Sequence, residues 1–512
     1  MSAPDVGLGN WFYQRSKRSP NRRALTFEGK TATYAEMQAR FDRLAGALRK
    51  NGVCRGDRVA FIGFNQPTFF DTMFAAARLG AIFVPLNFRL TGPELDYIIN
   101  DAGVHTIVAD SAHRPLIDGI RANLPCRHFV SADKDAEGWP SIETFTARVT
   151  PLREGEPTDA DDVAVIMYTS GTTGRPKGAM LTHGNLWWSA AMGMLAADAY
   201  EDDVTLVVAP LFHIGGLNVT TLAALQKGAE VVLHRGFDPN RWIEDVQKYK
   251  VKSAFAVPAM LLMVSQNPAF ATADLSSLRI IMCGGAPVPE PLLHLYAKRG
   301  VPVNQGYGLT ETAPSLTLLT SEWGAKKLGS AGTPGFFMDV ALMDGEGKFL
   351  KAPGERGEVV CRGPNVMKGY WNKPEATAAA IDPAGWFHTG DVGYFDEDGF
   401  LYICDRVKDM IITGGENVYP AEVEAVLYAH PAIAEVAVLG QPDEKWGEAV
   451  VAVAALKPGQ SLNLEGLRAW ASERLARYKL PSRFEVVEAL PRNPAGKVLK
   501  FELRYRFVKA KG

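Results

Sequence analysis

With 512 residues the chain exceeds what one hydrophobic core supports, so two or more domains are expected, each able to bury an interior without disulfide or metal staples. Its 47% hydrophobic and 22% charged composition is that of an ordinary folded protein, and 55 basic against 57 acidic side chains leave a net charge of −2, which argues against nucleic acid as a main partner. Five cysteines (54, 126, 283, 361, 404), odd in number and without a Cys-x-x-Cys, argue against a disulfide framework or a zinc site and favour a reducing, cytoplasmic compartment.

The N-terminal segment Met-Ser-Ala-Pro-Asp-Val-Gly-Leu-Gly-Asn lacks a charged region followed by an apolar core, so no secretion signal is expected. The first clear helix starts at Thr33-Tyr-Ala-Glu36, which has capping-box spacing. It carries Met37, Phe41, Leu44 and Leu48 on one face and stops at Asn51-Gly52. The apolar stretch from Thr72 to Phe88 contains Arg78, Gly80 and Pro85 and is shorter than the ~20 residues of a membrane span. It reads as a buried helix running into a strand, so no transmembrane segment is expected. Strand-like runs at 58–63, 104–109, 163–167, 204–208 and 278–282 alternate with helical patterns, an α/β signature with much parallel sheet. From about 340 to 404 the turns Asp344-Gly-Glu-Gly347, Pro353-Gly-Glu-Arg-Gly357 and Asp396-Glu-Asp-Gly399 separate short strands of an antiparallel β subdomain. After Asp405-Arg406 come a Pro420-led helix, strands near 435–439 and 449–456, a helix over 463–476 and a strand near 484–487. The predicted architecture is therefore α/β: a large N-terminal domain over 1–404, made of α/β subdomains plus a β subdomain, and a small α+β C-terminal domain over 405–512.

One loop dominates the chemistry. Tyr168-Thr-Ser-Gly-Thr-Thr-Gly-Arg-Pro-Lys-Gly178 is dense in hydroxyls and glycines and closes on a lysine, the composition of a loop that wraps phosphate oxygens. Gly171, Gly174 and Gly178 let backbone N–H groups approach an anion, Ser170, Thr172 and Thr173 supply donors, and Lys177 supplies a point charge. It is not a Walker loop, because Pro176 precedes the lysine and no Ser or Thr follows it. A plain surface loop of the same composition is the alternative.

Further segments in fixed order decide between them: Leu211-Phe-His-Ile-Gly215, Gly284-Gly-Ala-Pro-Val-Pro289, Gln305-Gly-Tyr-Gly-Leu-Thr-Glu311, Gly357-Glu-Val, Gly385-Trp-Phe-His-Thr-Gly-Asp391, Asp405-Arg-Val-Lys-Asp-Met-Ile, Gly414-Gly-Glu-Asn-Val-Tyr-Pro420 and Pro491-Arg-Asn-Pro-Ala-Gly-Lys497. With them the chain resembles, over essentially its whole length, the adenylate-forming superfamily of acyl-CoA synthetases, aryl-CoA ligases, luciferases and peptide-synthetase adenylation domains. Within it the chain looks most like bacterial CoA ligases for fatty or aromatic acids.

That resemblance implies ATP, Mg²⁺ and coenzyme A as co-substrates and cofactor, and two half-reactions on one carboxylic acid. For ATP it implies Thr169, Ser170, Gly171, Thr172, Thr173, Gly174 and Lys177 at the β- and γ-phosphates, and Thr310 at the α-phosphate. Gly284, Gly285, Ala286, Gly306, Tyr307 and Gly308 would surround adenine, and Asp391 and Arg406 the ribose. Thr172 and Glu311 would hold the magnesium ion. Lys497 is the expected main catalytic group of adenylation, Lys408 the hinge of a C-terminal domain that rotates between half-reactions, and Gly414, Gly415 and Trp446 the CoA contacts. His213 is expected beside the reacting carboxylate.

Two other classes remain in view. A carrier-loading acyl-AMP ligase is disfavoured because little chain follows Lys497, and a non-catalytic nucleotide-binding protein is disfavoured by intact Lys177, Glu311, Asp391, Arg406 and Lys497. The expected pocket wall, 213–218, 255–260 and 284–315, is apolar and rich in Gly and Ala, with no cation dedicated to a second carboxylate. A medium- or long-chain fatty acid is the first expectation for the substrate, and a cinnamate-, coumarate-, ferulate- or benzoate-type aryl acid the alternative. The basic tail (Lys500, Arg504, Arg506, Lys509, Lys511) reads as a solvated face, with weak peripheral membrane contact as the lesser reading, and a monomer or homodimer is expected.

Overall fold

The computed structural model describes residues 5–169, 175–286, 288–324, 326–406, 409–413, 416–443, 446–475, 477–492 and 498–508, with the backbone alone at 321, 405, 406, 416, 417 and 501. Ser170, Gly171, Thr172, Thr173, Gly174, Lys408, Gly414, Gly415 and Lys497 lie outside the described residues, as does the side chain of Arg406.

The chain divides into two compact units. The first, Met1–Leu328 with Gly332–Asp339 and Cys361–Phe387, holds two large sheets. Its helix over Tyr34–Lys50 begins as the sequence dictates: Thr33 and Glu36 form the reciprocal capping box, and the buried face contains Met37, Phe41, Leu44 and Leu48. Helix Pro67–Arg78 runs into the fully buried strand Ile82–Leu86, as the apolar run predicted. That strand belongs to a seven-stranded sheet with the order Gly369–Tyr370, Lys177–Thr182, Val163–Thr169, Ile82–Leu86, Arg58–Ile62, Val104–Ala109, His128–Ser131. The last five of these strands are parallel neighbours, buried between helices, which is why they read as continuous β-branched runs.

The second sheet of this unit has nine strands, and its central parallel part is Glu230–Leu233, Val204–Val207, Ser253–Ala256, Ile280–Cys283 and Val303–Gly308. Its helix-covered face is packed around Leu206, Trp242, Ile243, Val246, Ile281 and Tyr296, each buried. Full burial of such side chains stabilises by roughly 1.5–3 kcal/mol apiece, enough to fix the strand ends that carry the site.

The second unit comprises Gly329–Ala331, Val340–Val360 and His388–Gly512. It contains most of a five-stranded sheet, Phe349–Leu350, Asp339–Met343, Gly357–Arg362, Phe387–Phe395 and Leu401–Arg406, which is the β subdomain expected between 340 and 404. It also contains the C-terminal α+β fold, with helix Pro420–Tyr428, strands Ile433–Asp443 and Gly447–Leu456, helix Leu464–Ser472 and strand Arg483–Val487. The division by compactness therefore does not coincide with the boundary expected at 404/405. Contacts join the two β-rich parts: Arg356 of the β subdomain stands 3.9 Å from Glu422 and 4.5 Å from the ring centre of Tyr419, and Glu422 also meets Lys479 at 2.5 Å. The charge and the ring hold the two β-rich parts together.

Candidate active site

Strands Val163–Thr169 and Lys177–Thr182 are antiparallel neighbours, and Thr169 pairs in register with Lys177. The two ends of the phosphate loop are thus fixed to one rung of a ladder. Beside that rung stands Glu311, 8% exposed, in the short helical turn Thr310–Thr312. Its Oε1 lies 3.4 Å from Thr169 Oγ1 and accepts from Tyr370 Oη at 3.0 Å, while Lys177 Nζ sits 5.0 Å above the Tyr370 ring. Burial and the Glu311 carboxylate push the Tyr370 phenol far above its ordinary pKa, so it remains a donor at neutral pH. Thr169, Lys177 and Glu311, expected on one ATP site, are brought together; Tyr370 was not foreseen.

A strap over 365–371 makes this convergence possible. Asn365 is fully buried and its Nδ2 donates to Thr312 O at 2.6 Å, at the end of the turn carrying Glu311, and to Ser315 O at 2.7 Å just beyond it. Met367 N donates to Glu311 O at 2.8 Å, Lys368 N to Met180 O at 3.0 Å and Trp371 N to Gly178 O at 2.8 Å. One short segment therefore clamps the Glu311 turn to the strand that leaves the phosphate loop. The bond from Asn365 to Thr312 O is buried, so losing it leaves an unsatisfied carbonyl rather than a hydrated one.

The expected adenine segments end adjacent parallel strands. Gly284 follows Ile280–Cys283, and Gly306, Tyr307 and Gly308 close Val303–Gly308, pairing onward with Leu318, Thr317 and Ser315. Only glycine fits at 308, because a Cβ there would lie 1.6 Å from the Pro314 carbonyl oxygen. Gly285 and Ala286 are exposed beside them, and Thr310 opens the turn of Glu311.

His213 precedes a π-helical segment at Gly215–Val219. Burial, with a smaller contribution from the Arg89 cation, drives its pKa down to about 4, and its Nε2 is buried without a hydrogen-bond partner among the described residues. The ring is therefore neutral at physiological pH, with a polar nitrogen available to a ligand. His183 has a similar pKa of about 4, yet its Nδ1 accepts the Leu8 N–H at 3.2 Å and it is 1% exposed, so it is a structural histidine.

In the second unit Asp391 is 5% exposed, its N–H donates to Thr389 Oγ1 at 3.1 Å, and its backbone pairs with Arg406 across the ladder. Trp446 is 52% exposed and donates its N–H to Asp443 Oδ1 at 2.9 Å, so its ring is surface and not domain core. No group of three or more His, Cys, Asp or Glu side chains that would form a metal cage occurs among the described residues, and no helix among them is long and apolar enough to cross a membrane. A single buried carboxylate flanked by hydroxyls suits a magnesium ion, which keeps waters and takes further oxygens from phosphate.

Residues 12–371 match the model of the AMP-binding enzyme family, and residues 422–497 that of the AMP-binding enzyme C-terminal domain. A feruloyl-CoA synthase from Amycolatopsis sp is 45% identical over 505 residues, 98% of this chain and 99% of that one. A long-chain-fatty-acid–CoA ligase from Mycobacterium tuberculosis is 39% identical over 98% of each. The solved structure of o-succinylbenzoate coenzyme A synthetase from Bacillus subtilis, in complex with ATP and magnesium ion, superimposes with a TM-score of 0.87 at 36% identity, covering 97% of this chain and 99% of that one. Phosphate-loop flanks, buried glutamate, α/β architecture and full-length similarity agree: the chain belongs to the AMP-binding enzyme family, within the adenylate-forming acyl-CoA synthetases, and is an AMP-forming acid–thiol ligase.

Proposed function

We propose that this ligase acts on an aryl acid of the cinnamate or benzoate type, the alternative among the sequence expectations, and not first on a medium- or long-chain fatty acid. The observation that carries the reading is the 45% identity to a feruloyl-CoA synthase, against 39% to a long-chain-fatty-acid–CoA ligase, at the same coverage of this chain. In the first half-reaction a carboxylate oxygen of the acid attacks the α-phosphorus of ATP, the bond to the bridging oxygen breaks, and pyrophosphate leaves with the electron pair. In the second the CoA thiolate attacks the acyl carbon and AMP departs.

The chain's own residues divide these tasks. Ser170, Gly171, Thr172, Thr173 and Gly174 with Lys177 hold the β- and γ-phosphates, and Thr310 donates to the α-phosphate. Glu311, together with Thr172, holds Mg²⁺, which supplies charge neutralisation on the phosphates when bound. Tyr370 supports this by donating its hydroxyl hydrogen bond to Glu311 Oε1, which orients the carboxylate. Tyr307 lies along adenine, and Asp391 and Arg406 take the ribose hydroxyls. Lys497 neutralises charge at the reacting oxygens during adenylation, an electrostatic role that needs no proton transfer. Rotation about Lys408 then withdraws it, and Gly414 and Gly415 admit the pantetheine arm while Trp446 meets the CoA adenine. Neutral His213 lies beside the acyl carbonyl.

The test is a panel of acids with ATP, Mg²⁺ and CoA, reading AMP and acyl-CoA by mass spectrometry. Thioesters of ring-bearing acids are expected. Turnover of aliphatic acids alone would overturn the aryl assignment, and AMP without thioester would point to carrier loading.

A further inference from the structure

An apolar cavity lies on one face of the nine-stranded sheet, roofed by the helices His183–Ala196 and Thr221–Lys227. Its free volume is small, about 30 Å³. Its sides are small or flexible: Gly193, Ala197, Ala223, Val219, Met282 and Leu318. As it stands the cavity is narrow, and Met194 and Met282 are the walls that give most readily to an entering ring.

Its two ends differ in chemistry. Ser253 pairs in register with Thr205, and Phe255 with Met282, so these four residues share one face of the sheet at two levels. The upper level adjoins the motif residues, because the Phe255 ring lies so close to Gly215 that a Cβ there would meet it at 2.8 Å. The lower level is two residues down the strand, roughly 7 Å at about 3.3 Å per residue. That span matches a benzene ring with a short link and falls well short of an extended long alkyl chain.

The lower end is polar. Thr205 Oγ1 and Ser253 Oγ lie 2.8 Å apart, and both residues line the cavity. Two hydroxyls bonded to each other use one proton between them, leaving one O–H and several lone pairs for a third group. Next to them Arg279 is held end-on by Asp203, with Nη1 to Oδ1 at 3.0 Å and Nη2 to Oδ2 as the second contact, while its guanidinium stacks 5.2 Å from the Tyr200 ring centre. This pairing cancels the arginine's charge, consistent with the expected lack of a cation for a second carboxylate. It leaves Arg279 Nε–H buried and without an acceptor among the described residues. The Arg279 side chain is 33% exposed and that of Asp203 7%, so this end of the cavity lies near the surface.

We propose that Thr205, Ser253 and Arg279 form a specificity floor, which selects acids bearing a hydroxyl or alkoxy oxygen on the far side of an aromatic ring. A phenol there donates to, or accepts from, the Thr205–Ser253 pair, and an ether or phenol oxygen accepts from Arg279 Nε–H. The inference rests on the aryl-acid reading and sharpens it: the ring is held by apolar walls, and the oxygen is read at the base.

The experiment measures kcat/KM for cinnamic acid, 4-hydroxycinnamic acid, 4-hydroxy-3-methoxycinnamic acid and decanoic acid in the wild-type enzyme and in Ser253→Ala, Thr205→Val and Thr205→Ser. The readout is the ratio of the 4-hydroxy acid to cinnamic acid, which is insensitive to the fraction of folded enzyme. The wild-type ratio is expected well above one, to fall roughly tenfold in Ser253→Ala and Thr205→Val as one hydrogen bond is lost, and to survive in Thr205→Ser. A wild-type ratio near one, or a ratio unmoved by both hydroxyl deletions, overturns the floor while leaving an aryl-acid ligase in place. Turnover of decanoic acid with no ring-bearing acid accepted overturns the aryl reading and the floor together.

Discussion

His183 and His213 are both held neutral by burial, but they are put to different uses. For His183 the consequence is thermodynamic. Its folded pKa of about 4 lies below the ordinary 6.5, so between those values the unfolded chain binds a proton that the folded chain refuses. Stability from this group is intact above the unfolded value and is lost as the pH falls through the window, by on the order of 2 kcal/mol at about pH 5. Urea unfolding of wild type at about pH 7.5 and about pH 5 should therefore show a loss larger by about 2 kcal/mol than the same comparison in His183→Gln; equal losses would contradict it. At this scale the sequence singled out residues by local composition, such as Lys177, or by a motif, such as Glu311, and the structure places these two near one another through Tyr370. Tyr370 and Arg279 were not legible. A tyrosine after a glycine and an arginine before a strand carry no local pattern, and each acquires its function from a partner distant in sequence, Glu311 and Asp203.

Elements were read well where a cap or a period marks them. The Thr33 capping box starts its helix at the expected residue, and the buried parallel strands appear as unbroken apolar runs. The strap over 365–371 escaped because its strand, Gly369–Tyr370, is only two residues long and has no period to detect. Its importance is testable through Asn365, whose amide binds two carbonyls at and just after the end of the Glu311 turn. Asn365→Ala should cost about 1–3 kcal/mol of stability by leaving those carbonyls unpaired, and should raise the magnesium and ATP concentrations needed for half-maximal pyrophosphate release. A variant with wild-type stability and wild-type ATP dependence would show that the strap does not position Glu311.

For the whole molecule, the α/β class and the presence of a smaller C-terminal α+β fold follow from the order of patterns along the chain. The division into compact units does not, because it depends on contacts between segments distant in sequence, among them Arg356 with Tyr419 and Glu422, more than sixty residues apart. The proposed rotation about Lys408 makes Lys497 a residue of one half-reaction only. Lys497→Ala should slow adenylate formation by roughly 10²- to 10³-fold while thiolysis of a supplied acyl-adenylate changes far less. Equal losses in the two steps would contradict the alternation.

The central claim is that the acid is activated by direct bonding of its carboxylate to the α-phosphorus of ATP. The most direct measurement uses an acid labelled with ¹⁸O in both carboxylate oxygens and follows the label by mass spectrometry through one turnover with CoA. AMP should carry one ¹⁸O and pyrophosphate none. Unlabelled AMP, or label recovered in inorganic phosphate alongside ADP, would contradict it.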